Sequence, residues 1–137
     1  MRHHSKFTIE PLGNSILRIS ISEQVDIEKQ DAIEMHQMLL EYSSNQMYCV
    51  LLDATKRFNI SSEARALIAG KEYSSARIAT AFVTKSLANK LVGNFFINVN
   101  KPSTPTKIFA TEESALVWLN IELSKLPKKV KIIGVHA

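Results

Sequence analysis

Residues 48–53 read Tyr-Cys-Val-Leu-Leu-Asp, a short apolar run that stops at an acidic residue. A continuous run of this length predicts a strand buried on both faces, as in a parallel sheet, because a strand with one face in solvent alternates apolar and polar residues. Parallel strands are joined by long crossover connections, which are usually helical. The rest of the chain should therefore alternate helices with further buried strands.

Two more runs of the same kind follow, at residues 78–84 and 106–110. Apolar residues at spacings of three and four predict helices between and around the runs. Four helices are predicted: one from Asp26 to about Tyr42, one capped by Asn59, Ser61 or Ser62, one opened by Ser86 and ended by Asn98, Asn100 and Pro102, and one from Thr111 to Pro127. Gly93 in the third helix allows close approach of a neighbouring element.

The first twenty residues show a different pattern. Phe7 and Ile9 precede a Pro-Leu-Gly-Asn turn at residues 11–14, and apolar residues then alternate with polar ones up to Ile21. This pattern predicts two strands in a hairpin. The fold class that follows is α/β: a hairpin and then β-α repeats, giving about five strands in a mostly parallel sheet with four helices. We expect a single domain over residues 1–137, with its core at about 7–123.

The composition is that of an ordinary globular protein, with 137 residues of which 45% are hydrophobic and 22% charged. No apolar stretch is long enough to span a bilayer, and no signal-peptide pattern opens the chain, so we expect a cytoplasmic protein. The lone cysteine, Cys49, has no disulfide partner within the chain and should be inert in its buried strand. The excess of 17 basic over 13 acidic residues, +4, is too small to indicate nucleic-acid binding.

Several short segments resemble one protein superfamily. They are Leu-Val-Gly-Asn-Phe-Phe at 91–96, Asn-Lys-Pro at 100–102, Pro-Thr-Lys-Ile-Phe at 105–109 and Glu-Ser-Ala-Leu-Val-Trp-Leu at 113–119. With the order of elements, they resemble the STAS (SpoIIAA-like) superfamily over residues 7–123, and within it a group of small bacterial proteins of unassigned function. The resemblance implies a non-enzymatic regulatory or protein-interaction module in a bacterial cytoplasm.

In STAS proteins that antagonise anti-sigma factors, a strand ends in Asp and an Asp-Ser-Ser-Gly segment opens the next helix, where a partner kinase phosphorylates one serine. Here Leu52 and Asp53 are followed by Ser61, Ser62 and Glu63. The resemblance implies that Ser62 is the phosphoacceptor, although Ser61 stands where the superfamily has an acidic residue. The alternative is that Ser61 or Ser62 only caps the helix.

Asp53 and Glu63 could meet in a ligand groove, because open α/β sheets bind ligands at the carboxyl ends of their strands. The alternative for Asp53 is that its side chain holds the following turn. The motifs of the common enzyme classes are absent, and the four histidines have no metal-binding spacing. We therefore expect no catalytic residues, no metal and no cofactor.

The third predicted helix is apolar on more than one side, and Phe95 and Phe96 are its aromatic residues. It could contact an apolar ligand or a membrane surface, or it could lie between the sheet and another helix. The sequence therefore leaves an apolar-ligand or membrane-surface protein as the alternative to a protein-interaction module.

The segment at 127–137 contains Val130, Ile132, Ile133 and Val135. This β-prone pattern predicts an additional edge strand, which could pair with its own sheet or with a second copy in a homodimer.

Overall fold

The computed structural model describes residues 2–13 and 15–126. The strands of this part are β1 (Arg2–His3), β2 (Phe7–Pro11), β3 (Ile16–Ile21), β4 (Asp26–Ile27), β5 (Tyr48–Asp53), β6 (Asn59–Ile60), β7 (Arg77–Val83) and β8 (Thr106–Phe109). The helices are α1 (Lys29–Ser43), α2 (Ser62–Ala69), α3 (Lys71–Ser74), α4 (Leu87–Phe95) and α5 (Glu112–Ser124), and a π-helical turn, Phe96–Asn100, continues α4.

Six of the strands form one sheet in the order β1-β2-β3-β5-β7-β8. The first three are antiparallel, and β3, β5, β7 and β8 run parallel to one another. The predicted hairpin and the predicted mostly parallel sheet are both confirmed. In particular, the three apolar runs that start near residues 48, 78 and 106 are adjacent and point the same way.

Successive side chains of a strand point to opposite faces, so the central strands bury two separate cores. Cys49 and Leu51 pack on one face with Ala115 and Leu119 of α5. The opposite face packs against α1 and α2, and Val50 belongs to this larger core. A fully buried Leu or Val side chain stabilises the fold by roughly 1.5–3 kcal/mol.

The first helix begins later than the sequence predicted. Asp26 was expected to cap it, but Asp26 belongs to β4, which pairs with β6 in a small parallel ladder. The pairing keeps the chain extended up to Glu28, which is the N-cap. The backbone N–H of Glu28 donates to Asp31 Oδ2 at 2.8 Å, as in a capping box.

The other three helix starts lie at residues named by the sequence. Ser61, rather than Asn59 or Ser62, caps α2, and its side chain accepts a hydrogen bond from the N–H of Ala64 at 3.1 Å. Ser86 caps α4 and Thr111 caps α5 in the same way. Short hydroxyl side chains are suited to this role because they reach the free N–H groups of the first turn.

Gly93 lets α4 lie close to the sheet, as predicted. A Cβ atom on Gly93 would come within 2.9 Å of Ile108 Cδ1 and 3.3 Å of Phe82 Cδ1. Beyond the π-helical turn, Lys101 has a left-handed backbone with φ of 51°. The helical segment thus ends at Asn100, where the sequence placed its termination.

In the described part of the chain, no helix is both long and apolar enough to cross a membrane. The predicted edge strand at 127–137 lies outside the described residues.

Candidate functional site

An apolar cavity lies on the face of the sheet opposite α5. Side chains of β3, β5 and β7 form its floor, among them Ile19, Leu52 and Phe82. Side chains of α1, α2 and α4 form its walls, among them Met35, Ile68 and Val92. The cavity is therefore enclosed by the same elements that bury the larger core, and it is open to solvent on one side.

The dimensions of the cavity suit a slender apolar molecule. The volume of the cavity is about 80 Å³. One water molecule requires roughly 10–15 Å³ by the same measure, so the space exceeds that of a trapped water.

Arg77 is the most deeply buried charged residue of the cavity wall, with 7% of its surface exposed. Its Nη2 donates to the carbonyl oxygen of Ile68 at 2.6 Å, and its Nε is buried without a hydrogen-bond partner. Among the described residues, no carboxylate forms an ion pair with it. Burial lowers the pKa of Arg77, and the neighbouring Tyr48 acts in the opposite direction.

An irregularity in the sheet directs Arg77 towards the cavity. Tyr48 pairs with Arg77 and Val50 pairs with Thr80, so two steps along β5 correspond to three along β7. In a regular strand, a side chain that shares a face with Thr80 would stand at residue 78. The extra residue in β7 instead brings Arg77 to the cavity face, beside Tyr48.

Arg77 was not predicted to belong to the sheet, because the apolar run at residues 78–84 begins one residue after it. The available signal was a basic residue directly before an apolar run. Such a residue ordinarily marks the point where a strand emerges into solvent, since charged side chains are rarely fully buried.

A second guanidinium, that of Arg65, lies where α2 meets α4. Its Nη1 donates to the carbonyl oxygen of Ile60 at 2.7 Å, and its central carbon lies 4.6 Å from the centre of the Phe95 ring. Arg65 and Arg77 both line the cavity, whereas no Asp or Glu is found among its described lining residues. The wall therefore combines apolar side chains with an uncompensated positive charge.

His36 and Tyr73 occupy another part of the wall. Their rings are stacked, with centroids 4.3 Å apart and an angle of 11° between the planes. Burial lowers the pKa of His36, the charge of Arg77 lowers it further, and Glu72 opposes the shift. The imidazole is thus favoured in its neutral form, which does not add to the positive charge.

Asp53 and Glu63, the predicted groove residues, do not line this cavity. Asp53 Oδ1 accepts hydrogen bonds from the backbone N–H of Thr55 at 3.1 Å and from its hydroxyl at 2.6 Å. The side chain of Asp53 therefore holds the turn that follows β5, which is the alternative that the sequence left open. Glu63 is exposed in the first turn of α2.

Ser61 and Ser62 have different environments. Ser61 is half-buried and its hydroxyl oxygen is engaged as the N-cap, whereas Ser62 is the exposed first residue of α2. A phosphate on Ser62 would stand next to the free N–H groups of a helix start, where negative charge is stabilised. Phosphorylation of Ser62 stays a prediction.

The two aromatic residues of the predicted apolar contact are separated by the structure. Phe96 lines the cavity, whereas Phe95 is 45% exposed and lies beneath the guanidinium of Arg65. Contact with an internal ligand would therefore involve Phe96, and contact with an external surface would involve Phe95.

Cys49 lies on the other face of the sheet, and burial raises the pKa of its thiol to about 12.

A cluster of possible metal ligands lies near the N-terminus, although no metal site was expected from the spacing of the histidines. Ligand atoms of His4, Asp31 and Glu34 all lie within 4.8 Å of one another. However, the ammonium group of Lys6 lies 2.7 Å from Asp31 Oδ2, and His4 Nε2 lies 2.7 Å from Glu34 Oε1. These contacts make the cluster an ion-pair network in which a lysine already supplies the positive charge.

The chain matches one family model and is similar in fold to solved structures. A family model for a domain of unknown function, DUF7793, matches residues 8–122. Among solved structures, the chain is similar to an uncharacterized DUF3478-family protein with a SpoIIAA-like fold from Shewanella loihica PV-4. The two share 16% identity with a TM-score of 0.59, over 87% of this chain and 98% of that one. This likeness shows a SpoIIAA-like fold, as the sequence resemblance implied.

Two further solved structures are more distant. The Bacillus cell fate determinant SpoIIAA in its phosphorylated form shares 17% identity with a TM-score of 0.49, over 82% of this chain and 97% of that one. The anti-sigma factor antagonist SpoIIAA in its unphosphorylated form shares 16% identity with a TM-score of 0.47, over 83% and 97%. No curated protein matches the chain significantly.

Proposed function

The chain belongs to the DUF7793 family, and we propose that it is a non-enzymatic binding domain that holds an apolar small molecule in the cavity. The observation that carries the proposal is the cavity itself. Protein interiors are normally filled to the density of organic crystals. An unfilled space between the sheet and α1, α2 and α4, lined mainly by aliphatic and aromatic side chains, is the arrangement found in small-molecule sites.

The polar groups of the cavity support binding rather than catalysis. They are the guanidinium groups of Arg65 and Arg77, the imidazole of His36 stacked on Tyr73, and threonine hydroxyls. General acid-base chemistry usually requires a group that can exchange protons near neutral pH and reach the substrate. The guanidinium groups do not meet this requirement, and the lowered pKa of His36 reduces the fraction of its imidazole that is protonated and able to act as a general acid at neutral pH.

Octanol is a suitable probe because it is apolar and uncharged. Titration of the isotope-labelled protein with octanol should shift the amide resonances of residues around the cavity, including Ile19 and Ile68. Val92→Phe should reduce the affinity, because the larger ring occupies the space of the ligand. The matched control is Val117→Phe, since Val117 is exposed on α5 on the other side of the sheet.

Shifts confined to α5, or equal affinity in both variants, would show that octanol binds elsewhere and would overturn the proposal. If Val92→Phe does not fold, Ile68→Phe tests the same wall from α2. Thermal unfolding of each variant, measured without ligand, establishes that a loss of binding is not a loss of fold.

A second candidate function is contact with a partner through the outer face of α4. Exposed apolar side chains recur every four residues along α4 and the π-helical turn that continues it: Leu87, Leu91, Phe95 and Val99. Exposed stripes of this kind mark protein or membrane contacts. The surrounding sequence contains Lys85, Lys90 and Lys101 and has no acidic residue from 85 to 111. This charge favours an anionic membrane surface, whereas the STAS resemblance favours a protein partner.

Sedimentation with lipid vesicles distinguishes these partners. We expect the protein to bind phosphatidylglycerol vesicles and to bind phosphatidylcholine vesicles less, because basic residues are attracted to anionic lipid. Leu91→Ser should weaken sedimentation, and Ile121→Ser, which changes an exposed apolar residue of α5, should not. If the unmodified protein does not sediment with vesicles, the membrane role is excluded, and a protein partner remains for the exposed apolar residues of this face.

A further inference from the structure

We propose that the molecule bound in this cavity carries a carboxylate, and that Arg77 binds this carboxylate inside the protein. The inference rests on the proposed function and names the chemical class of the ligand: a monocarboxylic acid with an aliphatic or otherwise apolar body.

The first argument is the unmatched charge of Arg77. A buried guanidinium is ordinarily paired with a carboxylate, because removing a charge from water without compensation is costly. Arg77 is 7% exposed, and among the described residues it has one hydrogen bond, to the carbonyl of Ile68, and no anionic partner. Its Nε remains buried and unbonded. A bound anion supplies the missing partner.

The second argument is the lining of the cavity, which includes two guanidinium groups and, among the described residues, no Asp or Glu. Buried polar groups are rarely left unbonded unless a water or ligand completes them. Tyr48, which pairs with Arg77 across the β5–β7 ladder, also has a buried hydroxyl group without a hydrogen-bond partner among the described residues, but it lines a separate pocket and does not belong to this wall.

The geometry of the strand supports a dedicated role for Arg77. The register shift between Tyr48 and Val50 places the guanidinium on the cavity face, where regular alternation would have placed residue 78. Extra residues in parallel strands are rare, and bulges in general are over-represented next to functional sites because they redirect a side chain.

The side chains that line the cavity beside Arg77 determine the chemistry of the rest of the ligand. Apart from Arg77, the floor and walls are mainly aliphatic and aromatic, so the ligand's body must be apolar. Arg65, the other guanidinium, also has a buried Nε without a hydrogen-bond partner among the described residues, but it is less buried than Arg77 and is held by the carbonyl of Ile60 and the ring of Phe95. A singly charged carboxylate matches one available guanidinium through its planar pair of oxygens. A doubly charged phosphate would leave negative charge uncompensated in apolar surroundings.

Octanoate and octanol test the inference, because they share a chain length and differ in the head group. Calorimetric titration should show that octanoate binds about tenfold or more tightly than octanol, as expected for charge-assisted hydrogen bonds. Arg77→Met should remove this preference while leaving octanol binding. Arg57→Met is the matched control, because Arg57 is exposed and does not line the cavity.

A second readout separates a binding role from a structural one. If Arg77 serves a ligand, unliganded Arg77→Met should unfold at the same temperature as the unmodified protein or at a higher one, because the substitution removes an uncompensated buried charge. A clearly lower unfolding temperature would show that Arg77 also supports the fold, and the binding preference of Arg77→Lys then decides: an unchanged preference for octanoate in that variant would overturn the inference. If Arg77→Met does not fold, Arg77→Lys keeps the charge but loses the planar pair of donors, and the octanoate preference should then decrease.

The outcomes distinguish this inference from the proposed function. If octanol binds in the cavity but octanoate binds no more tightly, or if Arg77→Met keeps the preference for octanoate, the carboxylate is excluded and the apolar site stands. If neither molecule binds, the proposed function fails, and the inference fails with it.

Discussion

At the scale of a single residue, His36 should make the stability of the fold depend on pH. Burial and the charge of Arg77 lower its pKa in the folded protein, whereas in the unfolded chain it returns to about 6.5. Below that pH the unfolded chain gains a proton that the folded protein does not yet bind. The free energy of unfolding should therefore decrease as the pH falls through about 6.5, and this contribution is constant above it.

The measurement is urea unfolding at about pH 7.5 and about pH 5.5 together with an NMR titration of the imidazole. His36→Phe preserves a ring against Tyr73 and removes the titrating group, so it should lose part of the pH dependence. Other groups contribute equally to both proteins and cancel in the comparison. A His36 that titrates at or above 6.5 in the folded protein would contradict the prediction.

Single residues were predictable where their role depends on neighbours in sequence. Ser61 as a helix cap and Asp53 as the anchor of a turn each follow from contacts within three residues. Arg77 was not predictable, because its direction depends on the register between β5 and β7. Strict alternation would place Arg77 with Ala79 on the face of α5, so the sequence pattern gave no reason to expect a charge in the cavity.

At the scale of elements, the start of α2 depends on one hydroxyl group. Ser61→Ala removes the oxygen that accepts from the N–H of Ala64 and should lower the free energy of unfolding by about 1 kcal/mol. Ser62→Ala, one residue further, should change it by less than about 0.5 kcal/mol, because Ser62 is exposed. Urea unfolding of both variants measures the difference. An equal or larger effect at Ser62 would mean that Ser61 is not the effective cap.

The N-terminal end of α4 is fixed to the rest of the fold by Asn89. This side chain is 1% exposed, and its Nδ2 donates to the carbonyl oxygens of Ala54 at 2.6 Å and Lys56 at 2.8 Å. Asn89→Ala leaves both carbonyls without this donor and should cost about 2 kcal/mol in chemical unfolding. Asn94→Ala, on the exposed side of the same helix, should have little effect. Similar losses in the two variants would argue against the anchor.

Elements were predicted well where a repeating pattern extended over several residues. Helix α4 was recognised from its apolar spacing, but the pattern did not distinguish its inner side from its outer side, because both are apolar. Only the packing against the sheet shows that Phe96 lines the cavity and Phe95 faces outward. The ladder of β4 and β6 was missed because a two-residue strand carries no periodicity.

At the scale of the whole molecule, the parallel arrangement of the central strands could be predicted from the buried apolar runs and the rules for connecting parallel strands. Buried runs separated by helices connect by right-handed crossovers, and this rule leaves a small number of arrangements. The adjacent parallel positions of β5, β7 and β8 confirm the predicted parallel arrangement of these strands. The cavity was not predictable in the same way, because an unfilled space depends on how side chains from many separate helices and strands meet, and such a space has no sequence pattern of its own.

The assembly of the whole molecule depends on the edge of its sheet. Among the described residues, β8 pairs only with β7, so its outer edge is available to a further strand. The segment at 127–137 is β-prone and follows α5 closely in sequence. If this segment pairs with a second copy, light scattering should give a dimer mass for the full chain and a monomer mass after truncation at Leu126. A monomer mass for both proteins would exclude the dimer and would favour pairing of the segment with the sheet of its own chain. In that case truncation should lower the unfolding temperature, because it removes the strand that covers the edge of the sheet.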